Sequence, residues 1–175
     1  RANPDSVVII DEAYVDFGGE SCVPLIEKYD NLLVVQTFSK SRSMAGMRIG
    51  YAMGNEKMIG YLNDVKNSFN SYTMSAVSIA AGAASVADET YFQDTVAKVV
   101  ATRERVRGEL ERLGFVCTDA RTNFLFASHR TIPAREIFEA LRAEKIYVRF
   151  WDKPRISDYM RISITDRCNL RCRYC

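Results

Sequence analysis

Residues 37–50 read TFSKSRSMAGMRIG, directly after the apolar run LLVVQ at 32–36. A short β-branched run that stops at small hydroxyl and glycine residues reads as a buried strand ending at the carboxyl edge of a parallel sheet. A second stretch, DEAY at 11–14, follows the apolar run VVII at 7–10 in the same manner. Ligands of open α/β sheets gather outside the carboxyl ends of strands. Asp11 and Lys40 therefore mark one candidate site.

The residue types at that edge suit one kind of chemistry. A lysine amine forms a Schiff base with an aldehyde when desolvation or a nearby cation favours its neutral form. Ser39, Ser41 and Arg48 offer hydroxyls and a guanidinium to a phosphate, and Ala45 and Gly46 let the backbone approach closely. Asp11, aimed at a pyridine nitrogen, would keep that nitrogen protonated, and Tyr14 would donate to a phenolic oxygen of the same ring. Taken singly, a lysine or aspartate after a strand is a surface or capping residue as readily as a functional one.

Outward from this edge, RIGYAMG (48–54) reads as a third strand, and EKMIGYLNDVK after Asn55 as a helix with Met58, Ile59, Leu62 and Val65 on one side. Residues 74–87, rich in Ala and Ser, suit a tightly packed helix. A long helix over Tyr91–Leu113 carries Val96, Val99, Val100, Val106, Leu110 and Leu113 on one stripe and stops at Gly114. The rhythm then changes. FVCT, NFLFA (123–127), a helix after Pro133, IYVRF (146–150) and YMRISI (159–164) form a smaller α+β unit. The expected division is 1–95, 96–165 and a cysteine-rich tail at 166–175.

The combination DEAYVDF plus TFSKS-x3-AGMRIGY resembles the fold-type-I pyridoxal-phosphate aminotransferases, above all the histidinol-phosphate aminotransferases. The resemblance runs from about Asp5 to Ile164 and includes VRFWDKPRISDYMRISI. It implies an α/β fold: the C-terminal part of the large pyridoxal-phosphate-binding domain, followed by the small α+β C-terminal domain. It also implies roles. Lys40 would bond the cofactor aldehyde and later move a proton, Asp11 would pair with the pyridinium, and Tyr14 would hold the phenolic oxygen. Ser39 and Arg48 would bind the cofactor phosphate, Arg161 the substrate carboxylate and Arg149 the phosphate of a histidinol-phosphate-like substrate. The implied reaction is amino transfer between histidinol phosphate and 2-oxoglutarate, in histidine biosynthesis, in a cytoplasmic homodimer. A threonine-phosphate decarboxylase is the alternative within the same family.

The glycine-rich phosphate turn, the ring stacked on the pyridine and an asparagine near the phenolic oxygen belong to the family's N-terminal half and are not in this sequence. Together with the opening at Arg1 instead of a methionine, this suggests a fragment that by itself binds pyridoxal phosphate weakly and is inactive. The apolar surface left by the absent half would be prone to association.

The chain's other end carries C-x3-C-x2-C at Cys168, Cys172 and Cys175, a spacing that suits three irons of a [4Fe–4S] cluster. RISITDRCNLRCRYC resembles the opening of radical S-adenosylmethionine enzymes of molybdenum-cofactor synthesis, without the barrel that binds their co-substrate. RISI occurs in both resemblances, so Arg161 belongs to either. A fusion point or an artificial join at RISI is the plainer reading, with a fused iron–sulfur radical fragment or a non-catalytic interaction unit as the alternatives.

Bulk properties exclude other classes. The 175 residues are 47% hydrophobic and carry a formal charge of +2 without a basic stripe, which argues against nucleic acid. No apolar run approaches the ~20 residues of a membrane span, and RANPDS is no signal peptide. Cys22 and Cys117 read as reduced thiols. His129, the one histidine, has no partner for a triad, and Trp151 reads as core. Asp11 and Glu12 point to opposite faces of a strand and so would not share a ligand.

Overall fold

A computed structural model describes residues 3–164. The chain divides into two compact units, Arg1–Gln93 and Asp94–Cys175, with the cut inside the long helix.

The first unit is built on a three-stranded sheet in the order β1-β2-β3. Strand β1 (Val8–Asp11) pairs in parallel with β2 (Leu32–Thr37), Asp11 lying opposite Val35. Strand β3 (Gly50–Gly54) returns antiparallel to β2, with Gly50 opposite Thr37. The third strand is thus shorter than RIGYAMG suggests. Arg48 sits in the left-handed region (φ 56°) and breaks the extended run. The β1-to-β2 crossover contains two short 3-10 turns, Val15–Phe17 and Val23–Leu25, with Gly18 and Gly19 following the first and Pro24 inside the second. Leu32, Leu33, Val34, Phe38 and Ile49 form the core of this unit.

Helix α1 (Glu56–Phe69) starts at Asn55, whose side chain accepts from Met58 N at 2.9 Å, and α2 (Ala76–Ala87) starts at Ser75, which accepts from Ser78 N at 3.0 Å. The expectation that α2 is tightly packed holds for one face only. Gly82 lies so close to the sheet that an added Cβ would fall 2.9 Å from Ile49 Cδ1. Val77, Ile79 and Val86 on the remaining surface are more than half exposed. Small residues let one face approach while the β-branched ones stay outside. On α1 the expected apolar side is only partly covered, since Leu62 and Val65 are exposed.

Helix α3 (Glu89–Arg112) begins two residues earlier than expected and ends before Gly114, which adopts φ 92°. The second unit is a four-stranded antiparallel sheet ordered β4-β5-β7-β6, from β4 (Phe115–Cys117), β5 (Phe124–His129), β6 (Arg149–Phe150) and β7 (Met160–Ser163). Helix α4 (Ala134–Ala143) follows Pro133. Leu125, Ala127 and Met160 alternate onto one face and are wholly buried. Phe150 stacks on Phe138 of α4, with ring centroids 5.5 Å apart.

The buried stripe of α3 contains an arginine. Arg103 is 5% exposed and donates to the Thr122 carbonyl (3.0 Å) and to Glu104 (2.8 Å). Arg107 donates to Thr118 O at 2.8 Å. Together they satisfy the carbonyls of the loop between β4 and β5.

Candidate functional site

The first unit brings its candidate residues to one sheet edge. Asp11 ends β1, and the next amide, Glu12 N, donates to Val35 O of β2 at 2.9 Å. Lys40 lies three residues beyond β2, and Arg48 two residues before the antiparallel β3. Pairing alone therefore sets Asp11, Tyr14, Ser39, Lys40 and Arg48 around the same rim. Asp11 is exposed, and its Oδ1 accepts from Ala13 N at 3.0 Å, closing a turn that leads into Tyr14.

The Lys40 ammonium sits 5.4 Å from the centre of the Tyr14 ring. Among the described residues it forms no ion pair and no hydrogen bond. No protein group among the described residues occupies the Lys40 nitrogen, which leaves its position beside the ring open to a ligand carbonyl carbon.

The loop from Ser39 to Arg48 is strained and tightly tied. Ser43 (φ 55°) and Arg48 (φ 56°) both occupy the left-handed region, which costs a non-glycine residue about 1–3 kcal/mol. Arg48 donates one N–H to Ala45 O at 2.8 Å, and its side chain is otherwise exposed at the rim. The Thr37 hydroxyl lies 2.9 Å from Ser39 Oγ and 3.1 Å from Ile49 O, donating to one of them at a time, so the Ser39 hydroxyl proton is not committed to a protein acceptor by this contact. Ser41, offered by the sequence as a further phosphate hydroxyl, is buried and gives its proton to Asp16 at 2.5 Å. That proton is committed to the Asp16 carboxylate and is not offered to a phosphate. Arg42 donates to Ser85 O (2.6 Å), with its guanidinium 4.0 Å from the Phe92 ring and 5.4 Å from Phe38.

Glu12 points inward, as strand alternation from Asp11 requires. It is 7% exposed and accepts from Cys22 N (2.5 Å), Ser21 Oγ (2.8 Å) and Gln36 Nε2 (2.8 Å). Burial pushes this carboxyl up, but the donors from Cys22, Gln36 and Ser21 outweigh it and hold it below the ordinary carboxylate range. Asp16, Arg42, the strain at Ser43 and the donors around Glu12 escaped sequence reasoning. The signal for Glu12 was there: a carboxylate facing a core must find donors.

In the second unit Arg149 and Arg161 are direct neighbours across β6 and β7, and Phe126 opposes Arg161 from β5. Directly opposed residues share a face, so both guanidiniums lie on the face away from Leu125 and Met160. Arg149 packs 5.4 Å from the Trp151 ring and Arg161 5.1 Å from that of Phe124. Phe126 stacks on Tyr159 at 4.6 Å. Trp151 is half-buried on this same face. Two like charges directly opposed are destabilising unless an anion neutralises them. Arg161 Nε is buried with no hydrogen-bond partner among the described residues. The donor set of this face is that of a carboxylate or phosphate site.

His129 is structural. Its Nδ1 accepts from the amides of Thr131 (3.2 Å) and Ile132 (3.1 Å), which assigns the proton to Nε2, facing Leu113 O at 3.0 Å. Cys22 and Cys117 are free thiols, and burial pushes Cys117 up against a smaller opposing effect of Arg107. Among the described residues no group of three or more His, Cys, Asp or Glu is arranged to hold a metal. Cys168, Cys172 and Cys175, with the proposed cluster, lie outside the described residues. No helix of the described residues is long and apolar enough to cross a membrane.

Comparison with known proteins places this geometry. The chain is 57% identical over 166 residues to the histidinol-phosphate aminotransferase of Lactococcus lactis subsp. cremoris, covering 94% of this chain and 47% of that protein. It spans about half the length of the curated relatives it matches. The crystal structure of the histidinol-phosphate aminotransferase from Clostridium acetobutylicum superposes with a TM-score of 0.81 at 25% identity, over 91% of this chain and 49% of that one. The enzyme from Sinorhizobium meliloti, solved in complex with pyridoxal-5'-phosphate, gives 0.79 at 25% identity, over 91% and 44%. The mixed α/β architecture is thus that of the fold-type-I aminotransferases. The family model for aminotransferase class I and II matches residues 2–171, and the chain belongs to that family.

Proposed function

We propose that this chain carries the cofactor lysine and the substrate arginines of a pyridoxal-phosphate-dependent histidinol-phosphate aminotransferase. The observation that carries the reading is the Lys40 amine, which forms no ion pair among the described residues and is set against Tyr14 at the carboxyl edge of the sheet. The residues at that edge fit the cofactor by chemistry. They supply a primary amine for an aldehyde, a rim carboxylate for a pyridine nitrogen, a phenol, and a guanidinium on a strained loop for a phosphate.

In this reading Lys40 holds the cofactor and takes a proton from the substrate carbon. Asp11 would pair with the pyridine nitrogen and fix the cofactor's orientation. Tyr14 orients the lysine amine through its ring, and Arg48 with Ser39 meets the phosphate. Pyridoxal phosphate, when bound, supplies the electron sink for charge developing at the substrate carbon. Arg161 takes the substrate carboxylate, of 2-oxoglutarate in one half-reaction, and Arg149 takes a phosphate ester. The domain roles follow: residues 1–95 as part of the cofactor-binding domain and 96–165 as the small substrate-binding domain. The complete enzyme would be a cytoplasmic homodimer, as the family resemblance implies, acting in histidine biosynthesis.

The test is a chimera. The matching segment of the Lactococcus lactis enzyme is replaced by this chain and assayed for amino transfer from histidinol phosphate to 2-oxoglutarate. Activity that disappears with Lys40→Ala and falls sharply with Arg149→Gln supports the proposal. A chimera that folds and instead releases carbon dioxide from threonine phosphate would overturn it.

A further inference from the structure

We infer that Asp16 and Ser41 form a tether between the two loops of the site, and that Asp16 is the positioning residue that holds the Lys40 amine against Tyr14. This rests on the reading of Lys40 as the cofactor lysine. Ser41 follows Lys40 in the chain, is 5% exposed, and donates its hydroxyl proton to Asp16 Oδ2 at 2.5 Å. Asp16 lies in the 3-10 turn that begins directly after Tyr14. One bond between residues 25 positions apart therefore joins the loop carrying Asp11 and Tyr14 to the loop carrying Lys40.

Both anchorages of the tether are firm. On the first loop, Phe17 N donates to Tyr14 O (3.1 Å) and Gly19 N to Val15 O (2.8 Å), and Phe17 is buried. On the second, Ser43 N donates to Lys40 O (3.1 Å), Phe38 is buried below, and Arg42 is pinned to Ser85 and Phe92. Between them the Lys40 side chain has no polar contact among the described residues. A lysine has four rotatable side-chain bonds and considerable rotamer entropy. Its amine keeps one position only if the backbone beneath is fixed relative to the ring it rests on. A hydroxyl-to-carboxylate bond is charge-assisted and stronger than a neutral one, and Asp16 supplies that fixture.

The test attaches ¹³C-methyl groups to the amines by reductive methylation and follows Lys40, assigned through Lys40→Arg, by NMR. Separate, unmethylated samples of the same proteins are treated with pyridoxal phosphate and borohydride, and the adduct on the Lys40 peptide is quantified. In Asp16→Ala and Ser41→Ala the Lys40 signal is expected to lose its ring shift and move to the position of exposed lysines. Trapping should fall about tenfold, as for the loss of one hydrogen bond to a charged group. Asp16→Asn and Ser41→Thr, which keep an acceptor and a donor, should restore both readouts in large part. Circular dichroism establishes folding for each variant, and Ser41→Ala carries the test should Asp16→Ala not fold. A folded Ser41→Ala protein with an unmoved Lys40 signal and full trapping would overturn the tether. A normal NMR response with no adduct at Lys40 in the unsubstituted chain would overturn the cofactor reading and leave the tether standing.

Discussion

Replacing Glu12 by glutamine should destabilise the first unit, and do so only where the carboxylate is charged. The side chain is 7% exposed and takes three hydrogen bonds, from Cys22 N at 2.5 Å, Ser21 Oγ at 2.8 Å and Gln36 Nε2 at 2.8 Å. A glutamine carbonyl can keep two of these donors, but its NH2 must face the third. A hydrogen bond to a charged group contributes about 1.5–3 kcal/mol, and a buried donor left unpaired costs about 1–3 kcal/mol. Glu12→Gln should therefore cost roughly 2–3 kcal/mol at neutral pH. The sign with pH follows from the direction of the shift. Burial raises the carboxyl pKa, the donors lower it further, and the folded value lies below the ordinary one. The stabilisation is complete above the unfolded carboxyl pKa of about 4.3 and disappears as pH falls through the lower folded value. Urea unfolding followed by circular dichroism, at neutral pH and in steps below pH 5, measures the difference between the two proteins. It should be constant above pH 5 and shrink below about pH 4. A variant within about 0.5 kcal/mol of the parent at neutral pH, or a gap that does not change with pH, refutes the reasoning.

Gly114→Ala places a Cβ 2.8 Å from His129 Nε2 at a backbone φ of 92°, so thermal unfolding should reveal a loss of about 2 kcal/mol or more. Adding His129→Ala should recover only the steric part. Lys40→Ala should leave stability within about 1 kcal/mol of the parent, because the ammonium contributes only a ring contact; a larger loss by urea titration would show a structural role. Inorganic phosphate at tenfold over its dissociation constant should raise the stability of the chain by about 1.4 kcal/mol through the Arg149–Arg161 pair. Arg161→Gln should abolish that increment in a thermal-shift titration.

What the sequence disclosed followed from local rules. Lys40 and Asp11 were legible because each closes a β-branched run, and a strand's end is where side chains leave the core. The helix stop at Gly114 was legible because glycine tolerates the left-handed region. Arg48 misled the strand boundary for the converse reason: only tertiary contacts hold a non-glycine residue at positive φ, and no local pattern announces them. Arg103 was invisible in the α3 stripe because hydrophobic periodicity skips a charged residue, yet the Thr122 carbonyl and Glu104 give it partners. Ser41 was read as a phosphate ligand since a hydroxyl's partner cannot be known before its neighbours are. The face of α2 with Val77, Ile79 and Val86 was expected to be packed and is exposed, because composition does not tell which side of a helix is covered. Cross-strand pairing of Arg149 with Arg161 needed the register of β6 and β7.

The most direct measurement is peptide mapping of the chain after treatment with pyridoxal phosphate and borohydride. The account predicts that the pyridoxyl group concentrates on the peptide containing Lys40, at well above its level on the exposed lysines, and is lost from that peptide with Asp11→Ala or Arg48→Ala. Label spread evenly over the surface lysines, with Lys40 no more reactive than the others, would contradict it.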